Sequence, residues 1–260
     1  MTIVAVCSAG GSAASSTTAV VLSAMMPAGY PTLLAECDPS GGDVAAWAQL
    51  PAAPGWSTAV SGSDRSWSAI VDNAQPLPSG LRVLAAPSRA SQARTAVSEA
   101  ARCFAGLLAA MPDVITIADC GRVELDPPLW ATSAQLTLLL VRQSVVSAPA
   151  TVPRVDRTIE ALGVLRRACR QVGVVLVGGA PYRSSELAAA LGVELFGVLP
   201  EDTAGAALVA GGWTVGRRAS RSPLAKAAGH LGARVVEALY GRDHRPEQLW
   251  ATTADEEVMS

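Results

Sequence analysis

Lysine is almost absent from this chain: Lys226 is the only one among 20 basic residues, and the others are arginines. Charge is also scarce, at 16% of residues, and the net charge of -2 leaves no chain-wide basic surface for nucleic acid. Half the residues are hydrophobic, so a large core is available and global disorder is excluded. No apolar run approaches the roughly 20 residues that a membrane-spanning helix needs. The N-terminus has no cationic region, and its apolar start is broken by Ser8-Ala9-Gly10-Gly11, which excludes a signal peptide. Five cysteines, with no C-x-x-C spacing, fit reduced thiols better than a disulfide framework. A cytoplasmic, soluble protein is expected. No Ser-His-Asp or Cys-His pattern marks a catalytic triad, and His230 and His244 read as surface or packing residues.

What is present is an alternation of short apolar runs with longer helical stretches. Strands are expected at Thr2–Cys7, Pro31–Glu36, Leu81–Ala85, Val114–Asp119, Leu136–Val141, Val172–Val177 and Glu194–Leu199. Helices are expected at Thr17–Met26, Ser91–Met111, Val155–Arg170, Ser184–Leu191 and Thr203–Ala210. Continuous apolar strands separated by helices predict a doubly wound, mainly parallel α/β sheet of about seven strands. No Pro/Ser/Gly-rich linker divides the pattern, so residues 1–240 read as one domain. Pro51 to Asp64 reads as a surface loop, and residues 241–260 as a polar tail in which Trp250 is a docking candidate. Pro223 to Tyr240 has apolar residues at helical spacing, for packing on its own sheet or for a dimer.

Gly10-Gly11-Ser12-Ala13-Ala14-Ser15-Ser16-Thr17-Thr18 has the length and placement of a phosphate-binding loop between a strand and a helix. Against the pattern G-x-x-x-x-G-K-[ST] it keeps Gly10 and the hydroxyl of Thr17, but Ser15 replaces the second glycine and Ser16 the lysine. In an open α/β sheet, ligands sit beyond the carboxyl ends of the strands. Asp38, Asp119 and the Leu199-Pro200-Glu201-Asp202 segment all fall there. Asp38 and Asp119 suit two roles: capping turns, or holding the water shell of Mg²⁺. Cys7, Cys37 and Cys120 border the same region and are candidates for Zn²⁺ binding, redox sensing or plain packing.

The order of strand, loop, Leu33-Leu34-Ala35-Glu36-Cys37-Asp38-Pro39 and Ile117-Ala118-Asp119-Cys120-Gly121 resembles the ParA/MinD family of P-loop ATPases. Gly197-Val198-Leu199-Pro200-Glu201-Asp202 and Gly211-Gly212 resemble that family's closing segments. The resemblance, which includes the CpaE-like members, covers Thr2 to Tyr240 and implies the P-loop NTPase fold. It further implies ATP with Mg²⁺, a dimer closed over the nucleotide, and roles in positioning chromosomes, septa, or surface machinery such as pili. By the same resemblance, Thr17 would be the Mg²⁺-ligating hydroxyl, Asp38 the carboxylate of the first switch and Asp119 that of the Walker B strand.

The departures point the other way. The family's two loop lysines fall on Gly11 and Ser16, and Gly178-Gly179-Ala180-Pro181 stands where an asparagine near the base is usual. A charge-assisted hydrogen bond contributes roughly 1.5–3 kcal/mol, so losing two would weaken nucleotide binding about 10²- to 10⁴-fold. ATP and Mg²⁺ are therefore expected to bind weakly if at all, and the leading expectation is a pseudo-ATPase acting as scaffold or regulator with a protein partner. Any homodimer should form independently of nucleotide. The alternative is an atypical ATPase with an arginine in place of the lysine: Arg89, Arg122, Arg142, Arg183, Arg217 and Arg218 are the candidates. A third reading is DNA association through Arg217–Arg221.

Overall fold

The computed structural model describes residues 2–10, 14–111, 114–143, 151–210, 221–242 and 244. Gly11–Ala13 of the loop, Gly211-Gly212, Arg217, Arg218, Ser220 and the tail with Trp250 lie outside these residues.

The strands are β1 (Ile3–Ser8), β2 (Thr32–Glu36), β3 (Gln75–Pro76), β4 (Arg82–Leu84), β5 (Ile115–Arg122), β6 (Leu136–Arg142), β7 (Val172–Val177) and β8 (Leu195–Leu199). They form one eight-stranded sheet in the order β3-β4-β2-β5-β1-β6-β7-β8. Every pairing is parallel except β3 with β4. The expected doubly wound sheet is therefore present, with β3 as an extra strand. At two residues, β3 is too short to leave an apolar run. Its Pro76 lies at the sheet edge, where a missing N–H costs no ladder bond.

The helices are α1 (Ala14–Ala24), α2 (Val44–Trp47), α3 (Trp56–Ser61), α4 (Trp67–Asn73), α5 (Ala90–Ala110), α6 (Leu129–Ser133), α7 (Thr151–Ala168), α8 (Ser184–Leu191), α9 (Thr203–Ala210) and α10 (Pro223–Tyr240). They cover both faces. Ile3, Ala5 and Cys7 of β1 join one core with Trp56, Phe104, Trp130 and Leu165. Val4 and Val6 join the other with Leu22 of α1 and Leu231 of α10. Because β1 is buried on both faces, Ile3 to Cys7 reads as an unbroken apolar run.

One expectation needs correction. The Pro51–Asp64 segment is not only a surface loop, because it contains α3 with Trp56 fully buried. Its indole Nε1 donates to Glu36 O at 2.8 Å, and its ring lies 5.3 Å from that of Trp130. One tryptophan anchors a helix too short to show periodicity. The apolar stripe of α10 takes the first of its two expected roles: Leu224, Ala228, Leu231 and Val235 are buried, and the helix packs against α1 and β8 of its own chain. His230 is exposed, whereas the His244 ring stacks on Tyr240 with centroids 4.5 Å apart.

Candidate functional site

The chain runs from β1 outward to β2 and β4, then returns to insert β5 beside β1 before β6 starts the other wing. The carboxyl ends of β5, β1 and β6 thus border the crevice in which this architecture takes its ligands. β1 ends at Ser8 beside this crevice, and α1 begins at Ala14.

Asp119 is buried in β5, one strand from the loop. Burial pushes its carboxyl up to about 6, against the opposing effect of hydrogen bonds from the Ser16 hydroxyl, the Gly121 N–H and the Ser15 hydroxyl. The residues at the lysine and second-glycine positions thus lower the Asp119 carboxyl only through neutral hydroxyls. Asp38 follows β2, and its Oδ1 accepts from Ser40 N at 2.7 Å. A Cβ on Gly121 would collide with the Asp38 carboxylate, and Gly121 has φ +66°. Glycine there lets the two carboxylate-bearing segments approach. The structure thus brings Asp38, Asp119, Ser15 and Ser16 together, with Thr17 half-buried on the next residue of α1.

Glu36, a residue that the sequence placed only within a motif, is the structural clamp of this region. Its Oε1 accepts from Asp43 N at 2.7 Å and Val44 N at 2.8 Å, and its Oε2 from Ala86 N at 3.1 Å. Burial nevertheless pushes its carboxyl up to about 7, with the Asp119 charge adding to the rise. Gly42 lies so close that a Cβ would strike this carboxylate, and its N–H donates to Pro87 O at 3.0 Å. The loop after β2 is tied down at both of its flanks.

The arginines distribute differently from expectation. Arg157 of α7, not among the candidates, lies beside the loop: its Nε would be 3.9 Å from a Cβ on Gly10. No sequence signal identifies it, because which face of α7 meets the loop is settled only by packing. Arg142 ends β6 and pairs with Glu201 at 2.6 Å beside a cleft of about 260 Å³ that Thr17 and Thr18 help line. Arg89 and Arg183 precede α5 and α8, and Arg122 ends β5. Asp202 has a structural role: its carboxylate accepts from Gly205 N at 2.8 Å and Leu224 N at 3.2 Å, joining the starts of α9 and α10. The Gly178–Tyr182 loop is held by buried Gln143, whose Nε2 donates to Gly178 O and Tyr182 O and whose Oε1 accepts from Tyr182 N.

Cys7, Cys37 and Cys120 are buried in one core on one face of three neighbouring strands. A hydrogen bond to Cys7, followed by burial, drives the Cys120 thiol well above its ordinary value, and burial does the same for Cys37. Neutral thiols of this kind are poor nucleophiles. Among the described residues, no group of three His, Cys, Asp or Glu residues is arranged to hold a metal ion.

These residues do not fit the grip of a Mg²⁺-triphosphate. Lys226 is exposed on α10, and the loop's lysine and second-glycine positions hold the uncharged Ser16 and Ser15.

The sequence matches no protein-family model and no curated protein. Solved structures do match. A ParA family ATPase from Chlorobium tepidum TLS superposes with a TM-score of 0.68 at 17% identity, over 93% of this chain and 98% of that one. The MinD cell division protein of Aquifex aeolicus gives 0.69 at 15% identity, over 95% and 100%. The MinC:MinD cell division protein complex of Aquifex aeolicus gives 0.67 at 14% identity, over 95% and 99%. Over nearly its whole length, this chain has the fold of the ParA/MinD-type P-loop ATPases.

Proposed function

We propose that this chain is a degenerate relative of the ParA/MinD ATPases that keeps the fold as a non-hydrolysing scaffold or regulator. The carrying observation is Ser16, which stands at the lysine position beside buried Asp119 and brings no positive charge to it. Phosphoryl transfer relies on fixed positive charge around the transferring group, and here the loop supplies none. Thr17, Asp38 and Asp119 remain the residues that would meet Mg²⁺, were it bound. Residues 1–240 form the working domain in this reading, and residues 241–260 a tail.

The setting we propose is chromosome partitioning, septum or cell-pole positioning, or a surface-secretion or pilus assembly, through a protein partner. The MinC:MinD complex shows this fold engaged with another protein. Purified protein should show no Mg²⁺-dependent ATP hydrolysis above a heat-treated control. Turnover that Asp119→Ala abolishes would overturn the reading.

One observation favours a second reading. Arg157 beside Gly10 is placed to meet an anion at the loop, as an atypical ATPase would require. In that case Arg157→Ala would weaken ATP binding about tenfold or more.

A further inference from the structure

A groove opens between the segment after β2, the middle of α5, and the turn from β5 into α6. Its volume is about 130 Å³, room for one bulky side chain. Cys37, Val97, Cys120 and Trp130 form an apolar floor, and Asp38, Glu124 and Asp126 line the rim. Leu129 lines the groove at 49% exposure, and Leu125, between the lining residues Glu124 and Asp126, is 83% exposed. Among the described residues, none of the three rim carboxylates takes part in an ion pair. Arg122 is the single cation among the lining residues.

We propose that this groove is the docking site for a partner protein's segment in which a bulky apolar side chain neighbours an arginine or lysine. The apolar side chain enters over Trp130, and the cation meets Glu124 and Asp126. The acidic rim selects this occupant: it repels the phosphates of nucleic acid and of anionic lipid, and it attracts a basic peptide. Two exposed leucines beside a pocket give the anchor that interface centres use. The partner would touch Asp38–Ser40 and the end of β5 beyond Asp119, so it would rest against both segments that border the crevice. This proposal rests on the scaffold reading, for which it supplies the partner's chemistry.

Two labelled twelve-residue peptides test it, one repeating Leu-Arg and one repeating Leu-Glu, followed by fluorescence anisotropy on the full chain. The Leu-Arg peptide is expected to bind saturably and the Leu-Glu peptide not. Glu124→Lys with Asp126→Lys should weaken the Leu-Arg peptide about tenfold or more and admit the Leu-Glu peptide. Asp72→Lys, an exposed charge reversal on α4, should leave both unchanged. Leu125→Ser with Leu129→Ser should weaken binding about tenfold. Equal binding of both peptides, no saturable binding, or an equal effect of Asp72→Lys would overturn the groove assignment. So would a concentration-dependent dimer that the two serine substitutions dissolve, since the face would then serve self-association. An ATP turnover assay on the same samples separates the two ideas. Mg²⁺-dependent ATP turnover with peptide binding intact overturns only the non-hydrolysing reading, and absent peptide binding without turnover overturns only the groove.

Discussion

Ser16 and Asp119 carry the functional argument at the scale of single residues. A carboxylate buried beside a phosphate loop ordinarily gains its charge compensation from lysine and metal. Here it receives hydroxyls, and burial holds it near 6, while Glu36 next to it is held near 7. Both folded-state values lie above the ordinary carboxylate values of 3.8 and 4.5. The folded state therefore keeps protons that the unfolded chain gives up. The associated stability is complete below pH 4 and is lost as pH rises through about 6 and 7. For Glu36 alone the change is on the order of 3 kcal/mol. Urea unfolding should show a higher midpoint at pH 5 than at pH 8, and Asp119→Asn should narrow the gap. A midpoint that rises toward pH 8 would mean that a cation compensates these carboxylates.

Trp56 shows at the scale of elements what one anchoring side chain is worth. Trp56→Ala opens a cavity against Phe104 and Trp130 and strands the Glu36 carbonyl, at a cost of roughly 3–5 kcal/mol in denaturant unfolding. Exposed Ser57→Ala on the same helix should shift stability by less than about 0.5 kcal/mol. The elements differ in how legible they were. The long strands were readable because burial on both faces writes a continuous apolar run, and β7, α8, α9 and α10 fall where the periodicity places them. The short elements α2, α3, α4, α6 and β3 have two to seven residues each, too few for a period, and depend on distant anchors. Much the same holds for the site. Asp38, Asp119 and the loop were visible as motifs, whereas the Glu36 clamp, the Arg157 contact and the Gln143 lock are made across the fold.

For the whole molecule, the proposed scaffold role predicts that nucleotide does not change the state of association, since Gly11 stands where the family's second loop lysine would be. Light scattering should return one mass with and without ATP and Mg²⁺, and a shift from monomer to dimer on adding nucleotide would count against the account. Among the described residues, no helix is long and apolar enough to cross a membrane. Calorimetric titration of ATP with Mg²⁺ into the purified chain tests the account most directly. The account predicts binding no tighter than about millimolar, and saturable binding in the micromolar range would contradict it.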